Sequence, residues 1–522
     1  MNKYDVIVIG GGNGGLATAA SFAEKGKKVA LFEKHNIPGG CGTSFRRGRF
    51  EFEVALHQLS SMGTPEKPGE LRELFRRYGI EDKIDWIEIK ELFRVNFHDG
   101  TGVSLPVGRE KCLAHLCEVF PHEKDNLVRY FDTVYRFCEE ANSFAAKSAQ
   151  STGEPGALKK AIMKVGFPKI YPTLARYGLS ATQDVMDEFF TDKKLQLALS
   201  AYWCFMGMPP SRFPWSILAK CMYIYTEDKP FYLRGTSQMM NQAIAESVRE
   251  RGGDLFFNTA ISKIILDKGT AVGVEDDKGN VYYAKRIVSN ISPIDTYVQL
   301  IGTENMPEEA NEYLKPYTIG ISALTCFIGL DCTPEEIGFT TSFTLNYDSL
   351  DANEDFKNAY KLLPSHDPIV ATCYTVDDPT VSPAGTSVIT AGTLKYSTEW
   401  EKLTPEQYYQ KKYEAANVII DRLEKQYLGF RDHIEEIEIA TPLTHMRYLH
   451  HPGGAIYGYE QDLKSSVFFY PSESKVKNLE FAGGWVNVCG FGPNYLFADK
   501  LVKRMLKEME YWLISKKLYF PP

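Results

Sequence analysis

The sequence predicts an α/β fold: a Rossmann-type βαβ unit at the N-terminus, interleaved along the chain with an α+β substrate domain and a helical cap. Three stretches carry the Rossmann-type part of this expectation. Tyr4-Asp-Val-Ile-Val-Ile-Gly-Gly-Gly-Asn-Gly-Gly15 reads as a buried strand running into a glycine-rich turn and a helix, and Val29-Ala-Leu-Phe-Glu33 reads as a second strand ending in a carboxylate. Leu479-Glu-Phe-Ala-Gly-Gly-Trp485, near the other end of the chain, is a further strand running into glycines.

In the first stretch each glycine has a separate physical task. Gly10 permits the tight turn out of the strand, Gly12 lets the main chain approach a pyrophosphate, and Gly15 lets the helix over residues 16–25 pack closely on the sheet. Backbone N–H groups and the helix N-terminus then face an anion. Glu33 lies about 20 residues beyond the glycines, where a ribose hydroxyl needs an acceptor, and its charge favours a free 2′-hydroxyl over a 2′-phosphate. With Asn13, Gly14 and Lys34, these residues form the expected dinucleotide-binding set at this end. The turn lacks the Lys and Ser/Thr of a P-loop.

Composition agrees with a large enzyme and excludes several other classes. At 522 residues the chain exceeds one ordinary core, so two domains are expected. A net charge of −8 argues against a nucleic-acid partner, which needs a concentrated cationic face. Ten cysteines without a C-x-x-C pair indicate neither a disulfide framework nor a zinc site. His445, His450 and His451 have no carboxylate or thiol at metal spacing, so no metal is expected. The first strand begins almost at Met1, which leaves no room for a signal peptide, and no run reaches the length of a spanning helix; the expected location is cytoplasmic.

Pro38-Gly-Gly-Cys-Gly-Thr-Ser-Phe45 follows the Glu33 strand, and Arg46-Arg-Gly-Arg-Phe-Glu-Phe-Glu-Val-Ala-Leu-His57 follows that. The arrangement resembles the phytoene desaturase, carotenoid isomerase and retinol saturase group of FAD proteins, a branch of the monoamine-oxidase-like superfamily. The resemblance implies FAD as cofactor, with Gly40, Cys41, Gly42 and Thr43 beside its diphosphate and His57 near the flavin as the candidate catalytic residue. It extends to Phe231-Tyr-Leu-Arg-Gly-Thr-Ser-Gln-Met239 and Leu255-Phe-Phe-Asn-Thr-Ala-Ile-Ser-Lys-Ile264, where the backbone near Ile261 would read the adenine edge, and to Gly483, Gly484 and Phe491 at the C-terminal FAD loop. Ala55 stands where relatives have glycine, and Cys41 where they often have Arg, which leaves the diphosphate to the backbone there; Gly484 stands where they commonly have an acid that bonds the ribitol, so a lower cofactor affinity is expected from that position.

The same resemblance implies a discontinuous FAD-binding domain over residues 1–95, 230–295 and 440–522, with a substrate domain and helical cap over 96–229 and 296–439. Within the latter, residues 93–106 read as a hairpin, 112–144 as helix broken at Pro121, and 318–330 and 387–396 as inner strands. Lys159, Lys160, Lys164, Lys169 and Arg176 interleave with apolar residues, a pattern that suits either a solvated helix face or peripheral contact with an anionic membrane. Tyr202-Trp-Cys-Phe-Met-Gly-Met-Pro-Pro210 and Phe213-Pro-Trp215 suit either a core or an apolar tunnel.

The implied chemistry is that of an FAD-dependent oxidoreductase acting on C=C or C–C bonds of a long apolar lipid, isoprenoid or polyene, with an electron donor or acceptor outside the chain. Retention of His57 and the Cys489-Gly490 pair look closest to the retinol saturase branch, hence to reduction; desaturation and reduced-flavin cis–trans isomerisation are the alternatives. A non-redox lipid carrier resembling Rab GDP-dissociation inhibitors is a further reading, kept open by Cys41 and Gly484.

Overall fold

The computed structural model describes residues 3–150, 166–314, 317–463 and 473–519. Its first sheet has the strand order Ile261–Asp267, Thr270–Asp276, Val281–Ser289, Lys3–Ile9, Val29–Phe32, Asp254–Phe256, and Leu479–Phe481 pairs with Val281–Ser289 as well. The central strand Lys3–Ile9 runs parallel to both neighbours, which explains its unbroken apolar run: both faces are covered. Val6 and Val8 point into a core shared with Leu16, Phe22 and Ile244, whereas Ile7 and Ile9 point into one shared with Tyr297 and Leu300. Helices Asn13–Glu24, Ser237–Glu250 and Phe491–Tyr519 pack together on the first of these faces.

The second sheet is mostly antiparallel, in the order Ile434–Ala440, Ser322–Leu330, Ser387–Lys395, Ile369–Cys373, Phe343–Tyr347, Glu91–Phe97, Gly102–Pro106. The last two strands are the expected hairpin, and Ser322–Leu330 and Ser387–Lys395 lie inside the sheet. The first of these starts later than the apolar run does, because Ile319 bridges Tyr459 instead of extending the strand. Strand Glu91–Phe97 belongs wholly to this sheet, so the domain boundary expected at residue 95 falls inside it; we propose that the chain changes domain just before Glu91. One face packs Ile328, Ala371 and Ile389 under helix Pro405–Gln426; the other looks toward the helical cap.

The cap comprises Arg109–Val119, Lys124–Gln150, Thr182–Phe189, Lys193–Ser200 and Trp215–Glu227, with Pro121 opening a short 3-10 turn between the first two. The aromatic cluster divides between the two uses expected for it. Phe213 and Trp215 are fully buried core, with Trp215 Nε1–H donating to Tyr130 Oη, while Tyr202 to Met206 line a cavity. Of the basic segment, Lys159, Lys160 and Lys164 lie outside the described residues; Lys169 and Arg176 are exposed beside Tyr171, which packs on Phe144. Among the described residues no helix is long and apolar enough to cross a membrane.

Candidate functional site

A single cavity of about 2880 Å³ runs from the glycine turn of the first sheet, between the two sheets, to the cap. At its first end the strand Lys3–Ile9 delivers Gly10, whose φ of +91° only glycine adopts readily, and helix Asn13–Glu24 begins at Gly12. No side chain caps this helix and no acid sits in its first turn, so its leading N–H groups remain for an anion. The walls here are backbone: a Cβ on Gly14 would lie 2.8 Å from Gly483 Cα, and one on Gly40 would lie 3.1 Å from Gly12 Cα. Three glycine-bearing loops, distant in sequence, meet where a diphosphate would need bare main chain.

Glu33 ends its strand with its carboxylate fixed by two backbone donors, Gly11 N–H to Oε2 at 2.6 Å and His35 N–H to Oε1 at 2.7 Å. The remaining lone pairs are those available to a ribose. Lys34 and His450 meet beside it, and burial lowers the pKa of both, Glu33 opposing the shift at Lys34. Cys41, Thr43, Ile261, Gly484 and Phe491 also line the cavity; burial pushes the Cys41 thiol up to about 11, so it is a neutral neighbour rather than a charged one. Gly15 and Gly42 stand behind the wall instead. A Cβ on Gly15 would lie 2.0 Å from Gly10 O, and Gly42 is covered by Asn241, Asn13 and Phe491.

Two supporting side chains carried no legible signal in the sequence. Asn241, on the buried face of helix Ser237–Glu250, donates to Gly42 O at 2.6 Å and to Asn13 Oδ1 at 3.1 Å and accepts from Tyr495 Oη, so it ties the two loops to two helices. Asn290 follows strand Val281–Ser289, wedges between Gly14 and Gly483, and leaves its Oδ1 buried without a partner. Residues some 200 positions apart share no local pattern, although Asn290 stands at the strand end next to the glycine turn, where a polar residue facing the cofactor could have been sought.

Beyond the glycines, Glu53 is fully buried and accepts from Ser237 N–H at 2.6 Å, Ser237 Oγ–H at 2.8 Å, Leu56 N–H at 3.0 Å and Ala55 N–H at 3.1 Å. Burial raises its pKa against the pull of these donors. Its task is to lock the Val54–Leu56 turn onto the start of helix Ser237–Glu250, and the turn presents His57 to the cavity. His57 Nδ1 lies 2.8 Å from Thr372 Oγ1 and 3.4 Å from Tyr374 Oη, and its ring is flanked by Phe205 and Phe343. Burial lowers its pKa to about 4, so it is neutral at neutral pH. Cys489, in the C-terminal loop, packs against this wall with its thiol donating to Met206 Sδ and Phe205 O.

An orphaned Asn290 Oδ1, an uncapped helix N-terminus, bare glycine backbone on three sides and a carboxylate fixed at the end of the second strand fit one extended dinucleotide, with the cavity continuing past it. This defines a dinucleotide-dependent enzyme of the flavoprotein class. A family model for an NAD(P)-binding Rossmann-like domain matches residues 8–78. The chain is 30% identical over 468 residues to the chloroplastic prolycopene isomerase 1 of an Oncidium hybrid cultivar, covering 87% of this chain and 75% of the relative. It is 24% identical over 523 residues to the all-trans-retinol 13,14-reductase of Danio rerio, covering 93% and 83%. Among solved structures it resembles putrescine oxidase bound to putrescine (TM-score 0.63, 13% identity, 98% and 99% coverage) and an oxidoreductase from Methanosarcina mazei (TM-score 0.61, 15% identity, 97% and 100% coverage). The chain belongs to the phytoene desaturase, carotenoid isomerase and retinol saturase family of FAD-dependent oxidoreductases.

Proposed function

We propose that the protein reduces a C=C bond of a long, apolar polyene or related isoprenoid. The observation that carries this reading is the continuity of the cavity: the same space that begins at the glycine cradle passes His57 and enters a chamber walled by Tyr202, Phe205, Ile217, Ile224 and Tyr225. Such walls bind by buried apolar area and not by ionic contacts. Gly12, Gly14, Gly40 and Gly483 would hold the FAD diphosphate, Glu33 the adenosine ribose, and the backbone near Ile261 the adenine. Bound in its reduced form, FAD supplies a hydride. The chain's own residues orient the substrate, exclude bulk water and fix His57, which as a neutral imidazole offers a hydrogen bond and carries no spare proton. The proton that completes the reduction would then come from a single water held beside the substrate, with bulk solvent kept out.

A second reading, cis–trans isomerisation by reduced flavin, is favoured by the higher identity to the prolycopene isomerase and by the same neutral His57, since isomerisation needs no net proton. One experiment separates the two. FAD-loaded protein is reduced anaerobically and mixed with a conjugated polyene; reoxidation with a product heavier by two hydrogens supports reduction. A product of unchanged mass and altered geometry supports isomerisation, and bleaching of the oxidised enzyme by a saturated substrate would overturn both. A peripheral position on a membrane and an external electron donor complete the proposal.

A further inference from the structure

At one end of the second sheet, outside the cavity, three side chains with unlike ligand atoms converge. Strand Ser322–Leu330 pairs antiparallel with Ile434–Ala440, and their shared end is the pair Leu330 and Ile434. Asp331 and Cys332 follow the first strand directly and His433 precedes the second, with Asp331 N–H donating to His433 O at 3.0 Å. Successive residues of a strand point to opposite faces, so Asp331 and Cys332 could not converge if that strand ran on. It ends at Leu330, after a break in register between Gly329 and Leu330, and the chain bends there. One oxygen of Asp331, Cys332 Sγ and one nitrogen of His433 consequently lie within 4.8 Å of one another.

The three are placed to meet an ion arriving from solvent. The side chains of Asp331 and His433 are 54% and 42% exposed and form an open rim, while Cys332, 3% exposed and packed in the core under helix Pro405–Gln426, puts its sulfur at the floor. Cys332 O accepts from Ser387 Oγ–H at 2.7 Å, which fixes that floor. Negative charge is in excess around it. Asp331 and Glu336 both act on the thiol, and Glu336 is held in place by Thr333 N–H at 2.7 Å. Arg49, whose charge reaches Asp331, spends its guanidinium on both oxygens of Glu435. A hard cation such as Ca2+ or Mg2+ wants about six or more oxygens, far beyond what this cluster offers. Thiolate, imidazole and carboxylate together suit Zn2+.

We propose that Asp331, Cys332 and His433 bind one Zn2+ ion, with water in the fourth position. Tetrahedral Zn2+ holds sulfur at about 2.3 Å and nitrogen or oxygen at about 2.0–2.2 Å, which sets its ligand atoms roughly 3.3–3.6 Å apart. His433 Nδ1 and Asp331 Oδ1 now lie 2.8 Å apart. The ion takes the place of the hydrogen between them, and rotation of these two exposed side chains completes the site. As the Zn–S bond forms, the thiol proton leaves to solvent, so thiolate and carboxylate balance the charge of the ion. Spacing along the chain could not reveal this set, because residues 333–432 separate Cys332 from His433. That excursion carries strands Phe343–Tyr347, Ile369–Cys373 and Ser387–Lys395 and helix Pro405–Gln426. The ion closes it at its base, and a metal clip across a long loop removes the most chain entropy from the unfolded state. The site is independent of the proposed polyene chemistry.

The test uses FAD-loaded full-length protein, stripped of metal with a chelator and kept reduced, and needs no turnover. Titration with Co2+, read as difference spectra, should give a thiolate-to-cobalt charge-transfer band and the strong d–d bands of tetrahedral Co2+, which lie at longer wavelength than flavin absorption. Both should saturate at one equivalent and vanish when Zn2+ is added. Competition against a chromophoric chelator then measures Zn2+ itself. Cys332→Ser should abolish the charge-transfer band and weaken Zn2+ about tenfold or more, and His433→Asn should weaken it alike while leaving the buried floor intact, so that one variant decides even where the other fails to fold. Cys117→Ser, a change at a half-buried thiol outside the cluster, should leave the affinity as it is. Zn2+ should raise the thermal midpoint of the wild type by about 2 °C or more and that of His433→Asn not at all. A wild type without the charge-transfer band, an affinity unchanged in Cys332→Ser or His433→Asn, an affinity lost in Cys117→Ser, or a midpoint that Zn2+ does not move would overturn the assignment.

Discussion

His57 is the residue whose role the structure constrains most sharply, through its charge. Its Nδ1 faces the Thr372 hydroxyl at 2.8 Å, and burial lowers its pKa from an ordinary 6.5 to about 4. At pH 7 the imidazolium is then populated about once in a thousand molecules, a cost of roughly 4 kcal/mol at 1.36 kcal/mol per unit. A proton donor operating under that cost would show a rate falling about tenfold per pH unit above 4. We expect the opposite: reoxidation of the reduced protein by a polyene, followed by anaerobic stopped flow, should change less than threefold between pH 6 and 8. His57→Gln should slow it about fivefold, the loss of roughly 1 kcal/mol of hydrogen bonding to Thr372. A tenfold-per-unit slope present in wild type and absent from His57→Gln would refute this and restore the imidazolium as acid. Stability gives an independent reading. The unfolded chain takes up a proton below about 6.5 while folded His57 resists until about 4, so this residue's contribution is intact above 6.5 and lost as pH falls through that window. Because the ring faces a cavity, we discount the full shift to about 2 kcal/mol. His445, lowered likewise to about 4 by burial, and His450 and His451, also lowered by burial, share the acid loss, so His57→Gln should reduce but not abolish the fall in thermal midpoint between pH 6.5 and 4.

Glu33→Ala should weaken FAD by about 1.5–3 kcal/mol, measured by recovery of flavin fluorescence on dilution, and an unchanged affinity would remove Glu33 from the ribose site. Gly14→Ala, which sets a Cβ 2.8 Å from the Gly483 backbone, should cost at least ~1–3 kcal/mol of stability in thermal melts and release the flavin; a variant that retains both would contradict the close approach. Gly484→Asp should fold and hold FAD more tightly than wild type, because a Cβ there meets only the Asn494 amide at 3.6 Å; weaker retention of the cofactor would show that the position no longer faces the ribitol. Should the segment carrying Lys159, Lys160, Lys164 and Lys169 contact membrane, the protein will sediment with anionic vesicles at low salt and not at high salt, and replacing these four with Gln will abolish it.

How far the fold could be read in advance followed the length over which each physical constraint acts. The strand, the turn out of it and the carboxylate after the second strand are local: Gly10 answers a backbone angle and Gly15 a clash with Gly10 O, whereas Gly12 and Gly14 meet Asn290 and Gly483 across the fold. The hairpin Glu91–Pro106 and the strands Ser322–Leu330 and Ser387–Lys395 were legible for the same reason, since strand alternation and turn chemistry are also local. Asn241 and Asn290 were not, because what makes each important is the backbone it meets across the fold. Asn241 matters through Gly42 and Tyr495, and Asn290 through Gly14 and Gly483. Glu53 shows how the two scales join. Its place before His57 could be seen in the chain, but its purpose depends on Ser237, whose N–H and hydroxyl it accepts. A single buried carboxylate thereby holds the start of one helix on the first sheet and the turn that presents the imidazole to the second. Loss of that hydrogen-bond set, as in Glu53→Gln, is therefore expected to loosen His57 relative to the glycine loops, which would make Glu53 a positioning residue for a site it does not line.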